Sequence, residues 1–564
     1  MSSDLLANDN EAQSGAALNG VPSFQAPHLL LDPQGRPRIY ILGDVTDALI
    51  RFIIDVGGQV EYRAPNGRSV VAGVPLNKLK DIAARDDVVQ MFSASAIRSR
   101  TNGYPDQEGD VAHTVDRARQ SFSISGAGIK VGVISDSLDD GYGSEATARS
   151  SGGVLADAAI TIVDSDGNDW VGESGQGNTG EGLPMLEIIH TLAPGAQLFF
   201  ATGDSGGGPD RMAANIRQLA AAGCRIIVDD LTFPNEPPFQ DGPISQAVDD
   251  VTAKGVLYFS SAGNSGNLAH HTASTWEGVF TDGGPAGDQF HAGANARLLD
   301  FGGKKTLNTI DIASDQDQVN FFWADPLGHS VNGYDLYLVN NKGAVVGQGI
   351  SSPNRNLDPY LFISGIKGRP NIQGASIVVV KEAAAANVYL HLDVGRGVLR
   401  FSTNGATRGH NANGAPGAFS VAATSAPTSL VAFANGTAKA VEDFSADGPR
   451  WMFFSPNGQP IPQGLKLSKP DIAAADNVST TAPTFNKFKG TSAAAPQAAG
   501  IAALLLSCNP TAASSQVRDA ITSSALPIEP GTPDAGAGII MAQAAAQKFC
   551  PVHAASSGST SSGQ

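Results

Sequence analysis

Near the N-terminus, apolar and polar residues alternate in short runs: Arg38-Ile-Tyr-Ile-Leu42, Val60-Glu-Tyr-Arg63, Ser69-Val-Val-Ala72 and Val88-Val-Gln-Met-Phe92. Such runs predict strands, and the amphipathic stretches 46–56 and 76–85 between them predict helices. The resulting β-α-β-β-α-β order predicts a small ferredoxin-like unit over 37–100. From about Ile129 the pattern changes. Buried-type runs at 130–135, 197–201, 225–228 and 256–260 alternate with helical stretches at 209–222 and 244–254, which predicts a parallel sheet covered by helices. The alternation stops near 285. Short β-rich runs follow, among them Val319-Asn-Phe-Phe-Trp323, Tyr334-Asp-Leu-Tyr-Leu338 and Ser376-Ile-Val-Val-Val380, and predict an inserted β-sandwich over 285–404. A strand at 419–422 and helices at 491–506 and 514–524 resume the α/β pattern. The division expected is a disordered tail at 1–36, the small unit at 37–100, an α/β domain from 101–284 and 405–548, the insert, and a flexible Ser/Gly-rich tail at 549–564.

A chain of 564 residues exceeds one hydrophobic core, consistent with several domains. The net charge of −17 argues against nucleic acid or an anionic membrane as a partner. No stretch is expected to cross a membrane, and Met1–Gly20 lacks the apolar core of an export signal. The three cysteines form neither a disulfide framework nor metal-ligand spacing. Cys224 reads as a buried free thiol. Cys508 and Cys550 each follow a helix, and the sequence leaves open whether they pair.

The chemistry centres on Gly490-Thr491-Ser492-Ala-Ala-Ala-Pro496, which opens an Ala-rich helix. A serine there exposes its hydroxyl where backbone N–H groups favour negative charge. The competing reading is a helix-capping serine. Three further segments fall in a matching order: Val131-Gly-Val-Ile-Ser-Asp136, Ser260-Ser-Ala-Gly-Asn264-Ser-Gly266 and Lys469-Pro-Asp-Ile-Ala-Ala474. With Phe444-Ser-Ala-Asp-Gly-Pro449 and Asp534-Ala-Gly-Ala-Gly538, they make the chain resemble the subtilase family over 125–284 and 405–548. The resemblance implies an α/β, subtilisin-like parallel sheet with helices on both faces. It also implies a serine endopeptidase that hydrolyses protein or peptide through an acyl-enzyme. Ser492 would be the nucleophile, Asp136 the acid that orients the base, and Asn264 the oxyanion donor. The unit at 37–100 is similar to the family's inhibitory propeptide. The family also suggests secretion, although no signal is visible.

The departure lies at the base. Where subtilases carry a histidine, alignment on Ala193-Pro-Gly-Ala196 puts Glu181. His190 lies nine residues on, about 13 Å along a helix, and cannot take its place. A carboxylate is a weaker proton acceptor than imidazole unless burial or a neighbouring acid raises its pKa. Asp136 would be that second acid, giving an acid-favouring enzyme. Sedolisins resemble this in using Ser, Glu and Asp, but they keep an Asp where this chain has Met185 and another where it has Asn264. The edge expected to bind substrate is also altered: it reads Asp230-Leu231-Thr232, and Gly263 is expected to bind substrate as well. Asp229 and Asp230 would either favour basic substrate residues or cap a loop. No cofactor is expected, apart from calcium at the Asp/Gly-rich stretch 164–169 as a lesser reading. The alternatives to an active endopeptidase are a pseudoprotease that serves as a peptide- or glycan-binding scaffold, and a maturation enzyme with one dedicated substrate.

Overall fold

The structure, a computed structural model, describes residues 32, 34–64, 67–93, 107–138, 155, 158–164, 179–203, 208–290, 293–313, 318–351, 357–364, 372–407, 414–427, 429–436, 440–528 and 534–551. The two expected tails lie outside these residues, except for 32, 34–36 and 549–551. Asp32 is buried and accepts the Arg36 guanidinium at 2.6 Å, so the fold begins before residue 37.

Strands β1 (Arg38–Gly43), β2 (Gln59–Arg63), β3 (Ser69–Gly73) and β4 (Val88–Ser93) form an antiparallel sheet in the order β2-β3-β1-β4, the ferredoxin-like arrangement. The helix Asp47–Asp55 is started by Thr46, whose hydroxyl accepts the Leu49 N–H. Residues 76–85, expected as one helix, form a 3-10 turn and a five-residue α-helix, Leu79–Ala83. Ile39, Ile41, Leu49, Ile53, Val70 and Ile82 form the core on one face of this sheet. The other face lies against the helix Gly208–Ala221. There Asp210 accepts the Tyr40 hydroxyl at 2.8 Å and the Ser69 hydroxyl at 2.5 Å, and the Arg211 guanidinium lies over the Tyr62 ring.

The main domain is built on a seven-stranded, wholly parallel sheet. Its strands include β5 (Lys130–Ser135), β6 (Ile160–Ile162), β7 (Gln197–Thr202), β8 (Ile226–Asp229) and β9 (Leu257–Ser261). The order across it is Ile472–Asp476, Phe419–Ser425, β9, β8, β5, β7, β6. Helices Gly182–Leu192 and Thr491–Cys508 cover one face, and Gly208–Ala221 and Pro243–Thr252 the other. Thr491–Cys508 corrects one expectation: it is long and apolar enough to cross a membrane, yet nearly all of it is buried. It is apolar all round because it is a core helix. Leu192 packs against Gly500, where a Cβ would come within 3.0 Å of it.

Two antiparallel sheets enclose the core of the insert, which contains Trp276, Phe321, Trp323, Leu336, Ile377 and Leu390. The sandwich also takes in Thr275–Val279, which pairs with Tyr389–Asp393. A buried cluster ties it to the main domain: Glu277 accepts the Arg450 guanidinium at 2.8 Å and contacts His391 at 2.7 Å. Cys508 and Cys550 are joined in a disulfide, and Cys224 is free and buried.

Candidate active site

In a parallel α/β sheet, loops at the C-terminal strand ends form the crevice where ligands bind. Asp136 follows β5, Asn264 follows β9, and Ser492 stands in the first turn of the helix that follows strand Ile472–Asp476. Glu181 immediately precedes the helix Gly182–Leu192.

Asp136 is fully buried. Its carboxyl accepts the Thr179 N–H (2.6 Å) and hydroxyl (2.8 Å), the Ser137 N–H (2.6 Å) and hydroxyl (3.3 Å), and the Glu181 N–H (3.3 Å). Burial pushes its pKa above the ordinary carboxylate value, and these hydrogen bonds oppose the shift. Glu181 is also fully buried. The following residue must be glycine, because a Cβ on Gly182 would collide with the Phe200 ring and the Ser137 carbonyl. Acid and glutamate are therefore joined through one short stretch of backbone, Thr179–Gly182.

The helices behind Glu181 and Ser492 run side by side in the same direction. Leu192 meets Gly500. Farther on, Gly126 is crowded by Ala193 and Ala196 and donates its N–H to Ser507 at 3.1 Å. Counting back from the Leu192–Gly500 contact at about 1.5 Å per residue, Glu181 is about 16 Å and Ser492 about 12 Å toward the N-terminal ends. Both helices thus have their N-terminal ends on the same side of that contact.

Ser492 is 2% exposed. The Asn264 amide beside it is oriented by Thr491, which donates its N–H (3.0 Å) and hydroxyl (2.9 Å) to Oδ1. With the oxygen occupied, the NH2 end is the one left to donate. A Cβ built on Gly490 would lie 2.9 Å from that Nδ2 and 3.5 Å from Ser492 Oγ. Gly490 also has φ +106°, a conformation that favours glycine.

The expected substrate edge divides by residue. Asp230 and Thr232 are half-buried, and the Asp230 N–H continues the sheet by donating to the Ile134 carbonyl. The Leu231 side chain fills the space beside Gly203 in the core. The Gly263 N–H goes to the Thr491 hydroxyl and its carbonyl accepts the Ala446 N–H, so its polar groups hold the turn that carries Asn264. The Asp229 carboxyl lies in the core and accepts the Tyr258 (2.6 Å) and Ser260 (2.8 Å) hydroxyls. His190, nine residues along its helix from Glu181, is partly buried, which lowers its pKa. Of the expected calcium stretch, Asp164 is paired with Arg211 at 2.8 Å, and 165–169 lie outside the described residues.

Sequence reasoning overlooked Thr179, Thr491 and Asp476, whose Oδ2 accepts the Gly490 N–H at 3.1 Å. Thr491 stands inside the serine motif and Asp476 ends a strand, so position was the signal available for both.

The profile of the subtilase family matches residues 171–548. The chain belongs to the subtilase family. Membership makes it a serine peptidase by family, with protein or peptide as the substrate class. No curated protein matches the sequence. Among solved structures, the chain is similar to the CspB protease of Clostridium perfringens, at 14% identity and a TM-score of 0.47 over 78% of this chain and 99% of that one. It is also similar to fervidolysin from Fervidobacterium pennivorans, a keratinolytic enzyme related to subtilisin. That likeness has 13% identity and a TM-score of 0.42, over 94% of this chain and 63% of the other. The subtilase profile, not these neighbours, carries the assignment.

Proposed function

We propose that this subtilase is an endopeptidase in which Ser492 attacks the peptide carbonyl, Glu181 acts with Asp136 as general base, and the Asn264 amide stabilises the oxyanion. The observation that supports the reading is the grip of Thr491 on Asn264 Oδ1, which leaves the NH2 group to donate, with both it and Ser492 Oγ beside Gly490. A pre-aimed donor of this kind stabilises charge that develops only in the transition state.

In the proposed cycle the Ser492 proton passes to Glu181 as Oγ bonds to the carbonyl carbon. The same proton then goes to the leaving amine, and water repeats the sequence to release the acyl group. A glutamate at its ordinary pKa holds too little proton at neutral pH for the second step. Burial of a carboxyl raises its affinity for a proton, and both acids are buried, so the rate is expected to be highest below neutrality.

The test is casein digestion, together with labelling of Ser492 by a fluorophosphonate probe, from pH 3 to 8. Wild type should digest casein best on the acid side, Ser492→Ala should be inactive, and Glu181→Gln should be severely slowed. Unchanged rates in Glu181→Gln would remove the base assignment. Absence of Ser492 labelling at every pH would favour the pseudoprotease scaffold, and labelling without casein digestion would favour a dedicated maturation enzyme.

A further inference from the structure

The turn that carries Asn264 is held from behind by one segment, residues 442–447. The Gly263 carbonyl accepts the Ala446 N–H at 2.9 Å, and the Gly266 N–H goes to the Phe444 carbonyl at 2.8 Å. The Asn267 amide adds the carbonyls of Glu442, Asp443 and Ser445. In each of these bonds the segment contributes backbone. Asp447, at its end, contributes a side chain.

Asp447 is fully buried. Its Oδ2 accepts the N–H of Leu268, four residues beyond Asn264, at 3.0 Å. Its Oδ1 accepts the Gly405 N–H at 2.8 Å and the Ala406 N–H at 2.9 Å, where the chain comes back from the inserted sandwich. One carboxyl thus joins the Asn264 turn to the returning end of the insert.

The insert side of this joint is itself fixed. The Gly405 carbonyl accepts Arg450 Nη1 at 3.2 Å, and the same nitrogen donates to Glu277 at 2.8 Å. The Thr403 N–H pairs with the Thr275 carbonyl at 2.8 Å, and its hydroxyl accepts the Glu277 N–H at 2.8 Å. The outgoing and returning ends of the insert are therefore bonded to each other. Opening the joint at Asp447 would strip buried N–H groups of their acceptor, which costs free energy.

We propose that Asp447 is a positioning residue that fixes the Asn264 turn against the returning end of the insert, so that the sandwich forms part of the frame that holds the oxyanion donor. For its effect on rate the inference rests on the proposed peptidase reading. Asp447 works through backbone N–H groups, so its influence on the chemistry is expected to pass through the amide of Asn264.

The experiment is a double-mutant cycle between Asp447 and Asn264, read as the rate of fluorophosphonate labelling of Ser492 at pH 7, with residue-resolved amide hydrogen exchange on the same proteins. Burial lifts the Asp447 pKa to about 6, so the carboxyl is mostly ionised at the pH of the test. In Asp447→Asn the amide oxygen can still serve the Gly405 and Ala406 N–H groups, while the NH2 end meets the Leu268 N–H, donor against donor. The substitution cuts the tie to the turn and spares the tie to the insert. Asp447→Asn should label about five-fold more slowly than wild type, whereas adding it to Asn264→Ala should change the rate by less than about two-fold. The Leu268 N–H should exchange faster in Asp447→Asn, with the Gly405 and Ala406 N–H groups still protected. An equal slowing in both backgrounds would mean a general weakening of the fold and would overturn the proposal. Wild-type labelling in Asp447→Asn, or unchanged exchange at Leu268, would overturn it as well. If wild type is not labelled, or if Asn264→Ala labels like wild type, the peptidase reading fails instead. Exchange at Leu268 then decides by itself whether Asp447 holds the turn.

Discussion

At the residue scale the site depends on small groups whose freedom has been removed. The Asn264 amide could rotate, but Thr491 occupies its oxygen, so the proposed oxyanion donor is held in one orientation. Replacing Asn264 with Ala should lower kcat by about 10²- to 10³-fold with little change in KM, read from steady-state cleavage of a peptide substrate. A KM effect of equal size would mean that the amide binds the ground state. Asp136 is held by Thr179, Ser137 and the Glu181 N–H, a pattern suited to orienting a neighbour. In the proposed reading the glutamate changes which protonation state must be present, and so moves the working pH.

At the element scale, two helices that run in the same direction put Glu181 and Ser492 at the same end of the helix pair. The contact that keeps them there is a glycine, Gly500, under Leu192. A second tie is Glu187, nearly fully buried on the Glu181 helix, whose carboxyl accepts the N–H and hydroxyl of Thr481 in the loop before the nucleophile helix. Glu187→Ala should cost about 1–3 kcal/mol, because it strips buried donors of their acceptor. Thermal melting would show the loss, and an unchanged melting temperature would count against the tie. Much at this scale is legible from sequence. The apolar runs at β5, β8 and β9 read as buried strands, the acid and Gly-Asn motifs follow β5 and β9, and the Gly-Thr-Ser motif opens a later helix. What is not legible depends on chain returning through space. Asp476 reaches the Gly490 N–H across a loop, so it has no local pattern that points to its partner. Leu231 reads as part of a substrate edge, and only the bare backbone of Gly203 shows that its side chain belongs to the core.

At the scale of the whole molecule, the number of buried acids is the feature with measurable consequences. Burial raises Asp229 and Asp241 to about 7, and Asp335 and Asp447 to about 6. Each holds its proton in the folded chain at a pH where the unfolded chain has released it. Their contribution is complete below the ordinary carboxylate value and is lost as pH rises through 6 to 7. His113 works in the opposite direction. Burial lowers it to about 4, so stability falls as pH drops from 6.5 toward that value. The melting temperature should therefore be higher near about pH 5.5 than near about pH 8, and a flat or rising profile would contradict these assignments. The bond between Cys508 and Cys550 closes a loop across a separation of 42 residues and fastens the end of the nucleophile helix to the last helix. Closing a loop of that size stabilises a fold by about 4 kcal/mol, so dithiothreitol should lower the melting temperature of wild type and leave a Cys508→Ser, Cys550→Ser variant unmoved. The environment of the enzyme thus bears on its shape. In a glutathione-rich cytosol the sulfur staple would tend to open, and in an oxidising space it would persist, so the same polypeptide would be a sturdier catalyst outside the reducing interior of a cell than within it.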